Sequence, residues 1–235
     1  MLLDISLEQF PKDIELKSGL KCILRPLEPN DELAFHEFFL AVPVKERMFI
    51  KHRVTEPEVI HEWCQRIDLG HKLPLLAIHD GQIIGDATLH QQLGGWKRHI
   101  ARTSVLIHPQ HRGRGLARAL LTELTDIARH RGLERVEAEF IGEQEQAMKV
   151  FGLLGFTNLV RLPDYVKDMQ GAMHDYILMG MGLKKTLRNW PTKAPAPHIS
   201  HNIAPDGGRG WPEYIHRIAG HRLIHTHYVY MWHIP

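Results

Sequence analysis

From Leu116 onward apolar residues return at every fourth position, as Leu116, Leu120, Leu124 and Ala128. Ala119, Leu121 and Ile127 widen the stripe, while Arg118, Glu123 and Arg129 fall elsewhere. This period predicts an amphipathic helix laid on a sheet, and Gly132 after the basic turn Arg129-His130-Arg131 is a helix stop. The period then drops to two: Val136, Ala138 and Phe140 alternate with Glu137 and Glu139, as in a strand with one buried face and at least one solvated acid. Gln144 to Leu154 returns to a helical pattern, Gly155-Phe156 ends it and opens a short strand, and His174 to Met181 forms a last strand.

The first half of the chain alternates in the same way. Lys21 to Pro26 predicts a strand, and Pro29-Asn30-Asp31 supplies an N-cap for a helix from Glu32 to Leu40. Thr55 with Glu58 has the spacing of a capping box for a second helix through Ile67. Leu75 to Ile78, the turn Asp80-Gly81 and Ile83 to Leu89 predict a hairpin, and Ile100 to Ile107 a further strand.

Between that strand and the helix at Leu116 stands Gln110-His111-Arg112-Gly113-Arg114-Gly115. A basic, doubly glycine-punctuated turn at a helix N-terminus is suited to phosphate. The first N–H groups of the helix lack intrahelical partners, the helix dipole favours an anion, and glycines let a ligand approach the main chain. Leu116-Ala117 stand where a P-loop needs Lys and Ser or Thr, and Arg118 stands where a dinucleotide fingerprint needs its third glycine.

The segment resembles the acyl-CoA-binding signature of the GNAT superfamily of N-acetyltransferases, and the element order from residue 20 to residue 182 is similar to that family's core, including the Gly155-Phe156 pair. The opening from Phe10 to Asp31 is similar to GNAT domains found alone in bacteria or in bacterial protein-lysine acetyltransferases. The resemblance implies an α/β fold with a mixed, mostly antiparallel central sheet flanked by helices, acting as an acyl-CoA-dependent N-acyltransferase. Acetyl-CoA is the implied donor, and direct attack in a ternary complex the implied route. The implied acceptor is a small-molecule amine or a protein amino group. A non-catalytic acyl-CoA-binding regulatory module is the alternative.

Carried over by position, Val105, Leu106 and Ile107 would pair with the pantetheine arm, with the N–H of Leu106 or Ile107 as oxyanion donor. Gln110, Arg112, Gly113, Arg114, Gly115, Leu116 and Ala117 would take the pyrophosphate, and Gln144 and Phe151 would line the cofactor site. The proton-handling residues depart from the family pattern. Phe151 stands where many relatives carry a Tyr as general acid, and Arg102 where many carry a Glu as base or water-positioner. His90, Glu139 and His108 are the candidate replacement bases, with Asp86 and His99 nearby; Asp164-Tyr165 and His174-Asp175 are candidates for the acceptor end.

Composition adds bounds. A chain of 235 residues, 43% apolar and 24% charged, can bury one sizeable core, and a net charge of +2 speaks against nucleic-acid or membrane partners; a homodimer stays open. Cys22 and Cys64 offer no disulfide framework and are expected as small buried residues. With no long apolar run and no signal peptide, the expected compartment is the cytoplasm. After Leu183 the chain turns rich in Pro, Gly and His, so residues 1–183 are expected as the acyltransferase domain and 184–235 as an extension with the character of a flexible tail. His225 and His227 would project from one strand face, but no third ligand is evident, and no metal site is expected.

Overall fold

The computed structural model describes residues 5–47, 49–50, 52–168 and 170–183. The expected extension from residue 184, with its histidine pair, lies outside the described residues. The elements are β1 (Lys12–Glu15), β2 (Lys21–Pro26), α1 (Glu32–Ala41), α2 (Val44–Arg47), α3 (Pro57–Gln65), β3 (Lys72–His79), β4 (Gln82–Gln91), β5 (Ile100–Ile107), α4 (Leu116–His130), β6 (Arg135–Ile141), α5 (Glu145–Leu153), β7 (Thr157–Lys167) and β8 (Met173–Gly182). They build an 8-stranded sheet in the order β1-β2-β3-β4-β5-β6-β8-β7. Neighbours run antiparallel throughout, apart from the parallel pair β5–β6.

Each face of the sheet carries one apolar layer. On one face the α4 stripe of Leu116, Leu120, Leu121, Leu124, Ile127 and Ala128 packs on Leu75, Ala87, Ala101 and Ile107. On the other, Phe35, Phe38 and Phe39 of α1 join Ile60 and Cys64 of α3 over Leu76 and Ile83. Both cysteines are buried and free. The Asp80-Gly81 hairpin turn has φ of 48° and 77°, the mirror-image turn that matches strand twist. No helix among the described residues is long and apolar enough to cross a membrane.

The sequence patterns missed β1, which is short and pairs with β2 from Lys12 opposite Leu24. The start of α1 at Glu32 with Asp31 as N-cap is as expected, but neither expected side-chain cap forms. Asp31 stands at the N-cap of α1, but its carboxylate makes no cap bond there; it takes a fork from Arg25, 2.6 Å on each oxygen, and the Glu28 N–H at 2.8 Å. The Thr55 capping box does not form, because Pro57 occupies the first turn of α3 and moves the N-cap to Glu56. The strand after Phe156 is long, at 11 residues, with register breaks that absorb its Pro and a φ of 48° at Asp164.

Phe151 is 1% exposed and stands between Phe140 and Phe156, with ring centroids 4.9 Å from each and near-perpendicular planes. It supports the sheet below β6 and presents no ring face to a ligand, which corrects its expected place among the cofactor contacts. Phe151→Ala is expected to cost about 3–5 kcal/mol of stability, checked by urea unfolding.

Candidate functional site

The site begins where two strands part. β5 and β6 pair at three positions, Ile100–Arg135, Ala101–Val136 and Arg102–Glu137. Beyond them β6 stays with β8 as far as Ile141, while β5 stays with β4 as far as Ile107. The β6-facing edge of residues 103–107 is therefore without a ladder partner. The His108 N–H donates to the Ile84 carbonyl at 2.9 Å, which sets the phase of the β4 ladder. Alternate residues of a strand aim both main-chain groups at the same neighbour, so Leu106 bonds toward β4, while Val105 and Ile107 face the gap. The Ile107 carbonyl accordingly accepts the Arg112 Nε–H at 3.1 Å. Of the two expected oxyanion donors, Leu106 is corrected to a ladder residue, and Val105 joins Ile107 at the open edge.

At its end β5 feeds a short turn and then α4. Gly113 and Gly115 have φ of 75° and 88°, a region that L residues rarely adopt, and Gly115 is the N-cap of α4. No atom lies within 4 Å of a Cβ built at either glycine, so the space over the turn is open. The N–H groups of Leu116, Ala117 and Arg118 open the helix, and the Ala119 N–H donates to the Gly115 carbonyl at 3.1 Å. The side chain of Leu116 itself lies in the core, so its contribution is confined to the main chain.

Arg112 and Arg114 flank this cup differently. Arg112 forks onto the Glu46 carboxylate of α2 with two bonds of 2.8 Å, while Arg114 is exposed and its carbonyl accepts from Ser18 Oγ at 3.3 Å. The contact from Glu46 to Arg112 had no signal in the sequence. Gln110 is exposed on the turn, with its N–H directed at His108 Nδ1 at 3.4 Å. Gln144 caps the end of β6, its Oε1 accepting the Ile141 N–H at 3.0 Å. Burial first and Arg112 second push the His108 imidazole below its ordinary 6.5.

The face of the sheet opposite α4 carries the titratable groups. Register places Asp86 opposite Leu106, Thr88 opposite Ser104 and His90 opposite Arg102. Asp86 is 8% exposed, and burial drives its carboxyl from 3.8 to about 7, with the Lys72 charge and the Thr88 hydroxyl opposing. Thr88 Oγ1 donates to both Asp86 oxygens, at 3.2 and 3.3 Å. Lys72 stacks its ammonium 3.3 Å from the Trp63 ring centroid, and burial lowers it to about 8. Glu139 is committed elsewhere: Arg102 Nη1 stands 3.2 Å from it, and the Tyr176 hydroxyl donates to it at 3.1 Å. Among the described residues, Arg102 Nε and Thr103 Oγ1 are buried without partners.

The remaining candidates brace the surroundings. The His99 carbonyl accepts the Glu134 N–H at 2.9 Å, and Asp175 takes Arg161 at 2.7 Å and the Asp164 N–H at 3.2 Å. His174 joins Glu143 and Asp168 at 2.7 and 3.3 Å, and these two carboxylates raise it above 6.5. No group of three or more His, Cys, Asp or Glu among the described residues is placed to hold a metal.

A sequence profile of the Acetyltransferase (GNAT) family matches residues 37–156. The L-amino acid N-acyltransferase MnaT of Escherichia coli (strain K12) is 32% identical over 106 residues, 43% of this chain and 59% of that protein. The L-methionine sulfoximine/L-methionine sulfone acetyltransferase of Salmonella typhimurium is 32% identical over 84 residues, 34% of this chain and 49% of that protein. The chain thus spans about half to three-fifths of the length of the curated relatives it matches. Among solved structures, the GNAT domain of S. lividans PAT superposes with a TM-score of 0.60 at 22% identity, over 73% of this chain and 96% of that one. The structure of yncA from Salmonella typhimurium with its cofactor acetyl-CoA gives 0.59 at 23% identity, over 69% and 94%. At these identities the likeness is one of fold.

A carboxyl raised from 3.8 to about 7 holds its proton more tightly folded than unfolded, so that stability is present at low pH and lost as pH climbs through about 7. Asp86→Asn removes this loss. It is expected to be more stable than the wild type at pH 8 by roughly 2–4 kcal/mol, with the difference shrinking toward pH 5 in paired urea melts.

Proposed function

The chain belongs to the acetyltransferase (GNAT) family, and we propose that it moves an acetyl group from acetyl-CoA to a primary amine by direct attack in a ternary complex, with residues 1–183 as the acyltransferase domain. The observation that carries this reading is the continuity of the open β5 edge with the glycine cup at the α4 N-terminus. An extended amide-bearing arm that ends in a pyrophosphate matches that line: main-chain groups for the arm, helix N–H groups and arginines for the charge.

The donor supplies an acyl carbon activated as a thioester; the chain supplies the rest. Val105 and Ile107 would aim N–H groups at the carbonyl oxygen as it gains charge. The amine must lose a proton to attack, and Asp86 is the group suited to take it. It is a buried carboxyl poised at about 7, close to the pH at which it would work. Glu139 is the less available base, because Arg102 and the Tyr176 hydroxyl already occupy it. His108 stands at the lip of the cup, with the Gln110 N–H on its Nδ1, and His90 lies on the Asp86 face opposite Arg102 as a secondary candidate. Phe151 has no proton to give the departing thiolate, and burial first among its causes raises Tyr176 to about 12, which keeps that hydroxyl protonated on Glu139. A thiol is acidic enough to leave as thiolate into solvent. The names of two relatives make L-amino acids the first acceptors to screen.

Titration of the full chain with acetyl-CoA is expected to show micromolar binding. Gly113→Asp, which adds a carboxylate to the cup, is expected to weaken it at least tenfold, with a small loss of stability. Asp86→Asn is expected to bind acetyl-CoA within about threefold of the wild type and to release CoA about 10²–10⁴-fold more slowly with its amine acceptor. A folded wild type that binds no acetyl-CoA would overturn the reading.

A further inference from the structure

Asp86 presents a problem of access. At 8% exposure, under the layer formed by α1 and α3 and between Leu76 and Leu106 on the neighbouring strands, it has no room for an amine against its carboxylate. The open edge at Val105 and Ile107 lies one strand away, on the far side of β5. A base that deprotonates an amine at that edge needs an intermediary.

Two hydroxyls stand in line between them. Thr88, 5% exposed, donates its Oγ1 hydrogen to Asp86 at 3.2 Å. Directly across the β4–β5 ladder from Thr88 is Ser104, on the same face of the sheet. Ser104 is solvent-exposed although it lies in the middle of a central strand, and it immediately precedes Val105. Directly opposed residues have Cβ atoms about 5 Å apart, a gap that two hydroxyls close directly or through one water. The flanking positions on this face are unsuited to carry a proton: Leu106 is apolar, and Arg102 is a permanent cation paired with Glu139.

We propose that Ser104 and Thr88 form a proton relay from the acceptor amine to Asp86. The inference rests on Asp86 being the base of the proposed acetyl transfer. As the amine N–H bond breaks, its proton passes to Ser104 Oγ. The Ser104 hydroxyl proton passes to Thr88 Oγ1, and the Thr88 proton passes to Asp86. The electron pair left on nitrogen forms the bond to the acyl carbon, the C–S bond breaks as the carbonyl re-forms, and the thiolate departs to solvent together with the second proton of the former ammonium. Each hydroxyl ends with one proton, so the net change is one proton moved from amine to carboxylate. Its return to solvent along the same line resets the site. Lys72 and His90 face this line from β3 and β4, and Lys72 favours the ionised carboxylate that the relay requires before each turnover.

The test compares Thr88→Val, Thr88→Ser, Ser104→Ala and Asp86→Asn in the full chain. CoA release is followed with a panel of the twenty L-amino acids and simple alkylamines, and acetyl-CoA titration serves as the check on folding. Thr88→Val is expected to lower kcat 10- to 100-fold with acetyl-CoA binding unchanged, Thr88→Ser to restore it within about threefold, and Ser104→Ala to lower it less, since water can occupy the vacated position. In mixtures of light and heavy water the wild-type rate is expected to bow with deuterium fraction, from several protons in flight, and to become linear in Thr88→Val. A purely packing role for Thr88 would not move that curvature. If Asp86→Asn is inactive while Thr88→Val and Ser104→Ala keep full rate and curvature, the relay is overturned and the base stands. If Asp86→Asn keeps full rate, or the wild type releases no CoA with any amine of the panel, both fall.

Discussion

The three-residue contact between β5 and β6 is the constraint on which the rest depends. A longer parallel ladder would consume the main-chain groups of Val105 and Ile107 and close the gap; with no ladder, the sheet would lose its continuity between the two halves. Both strands are anchored elsewhere, β5 to β4 over seven registered positions and β6 to β8 over seven, so the divergence lies between two rigid plates. Phe140, Phe151 and Phe156 pack edge to face beneath β6 and make that plate hard to deform. Across the mouth, the Arg102–Glu139 ion pair links β5 to β6 by side chains where their ladder has ended, and Tyr176 of β8 adds its hydroxyl to Glu139.

Burial gives this site its electrostatics. Asp86 lies under an apolar layer with a hydroxyl as its hydrogen-bond partner and one cation at a distance, so its charge is costly and its proton is held to near neutrality. Glu139 instead has a guanidinium and a phenol hydroxyl on it. Two carboxylates on one face of a sheet thus differ in surroundings because their neighbours differ. The chain has an arginine where many relatives carry a glutamate, and an available carboxyl one strand over. The departure from the family pattern at Arg102 therefore leaves proton transfer with a candidate group, and the cation it introduces is neutralised by Glu139.

The cup at the α4 N-terminus shows a second balance. Arg112 is held by Glu46 and the Ile107 carbonyl, so its guanidinium is oriented before any anion arrives. A phosphate drawn to it would meet a carboxylate already there, and α2, four residues long with no buried side chain, is the element that would have to adjust.

The elements repeating at short range were legible in the sequence. The α4 stripe, the alternation of β6, the hairpin at Asp80-Gly81 and the glycine turn each follow from periodicity or from a backbone conformation that few residues tolerate, and both are local properties. Helix capping bonds were less so, because Asp31 and Thr55 have capping chemistry that Arg25 and Pro57 redirected. Of the site, the turn and its main-chain donors could be placed from sequence, since they depend on chain order. Tertiary structure alone decided that Leu106 bonds inward while Val105 faces the gap, that Phe151 serves the core, that Glu46 holds Arg112, and that Asp86 is buried beside Thr88 with its carboxyl raised to about 7. Ladder phase and pKa depend on which strands lie side by side and on what is buried above them. Residues 46 and 112, or 72 and 86, become neighbours only through the fold, and no spacing along the chain records their approach.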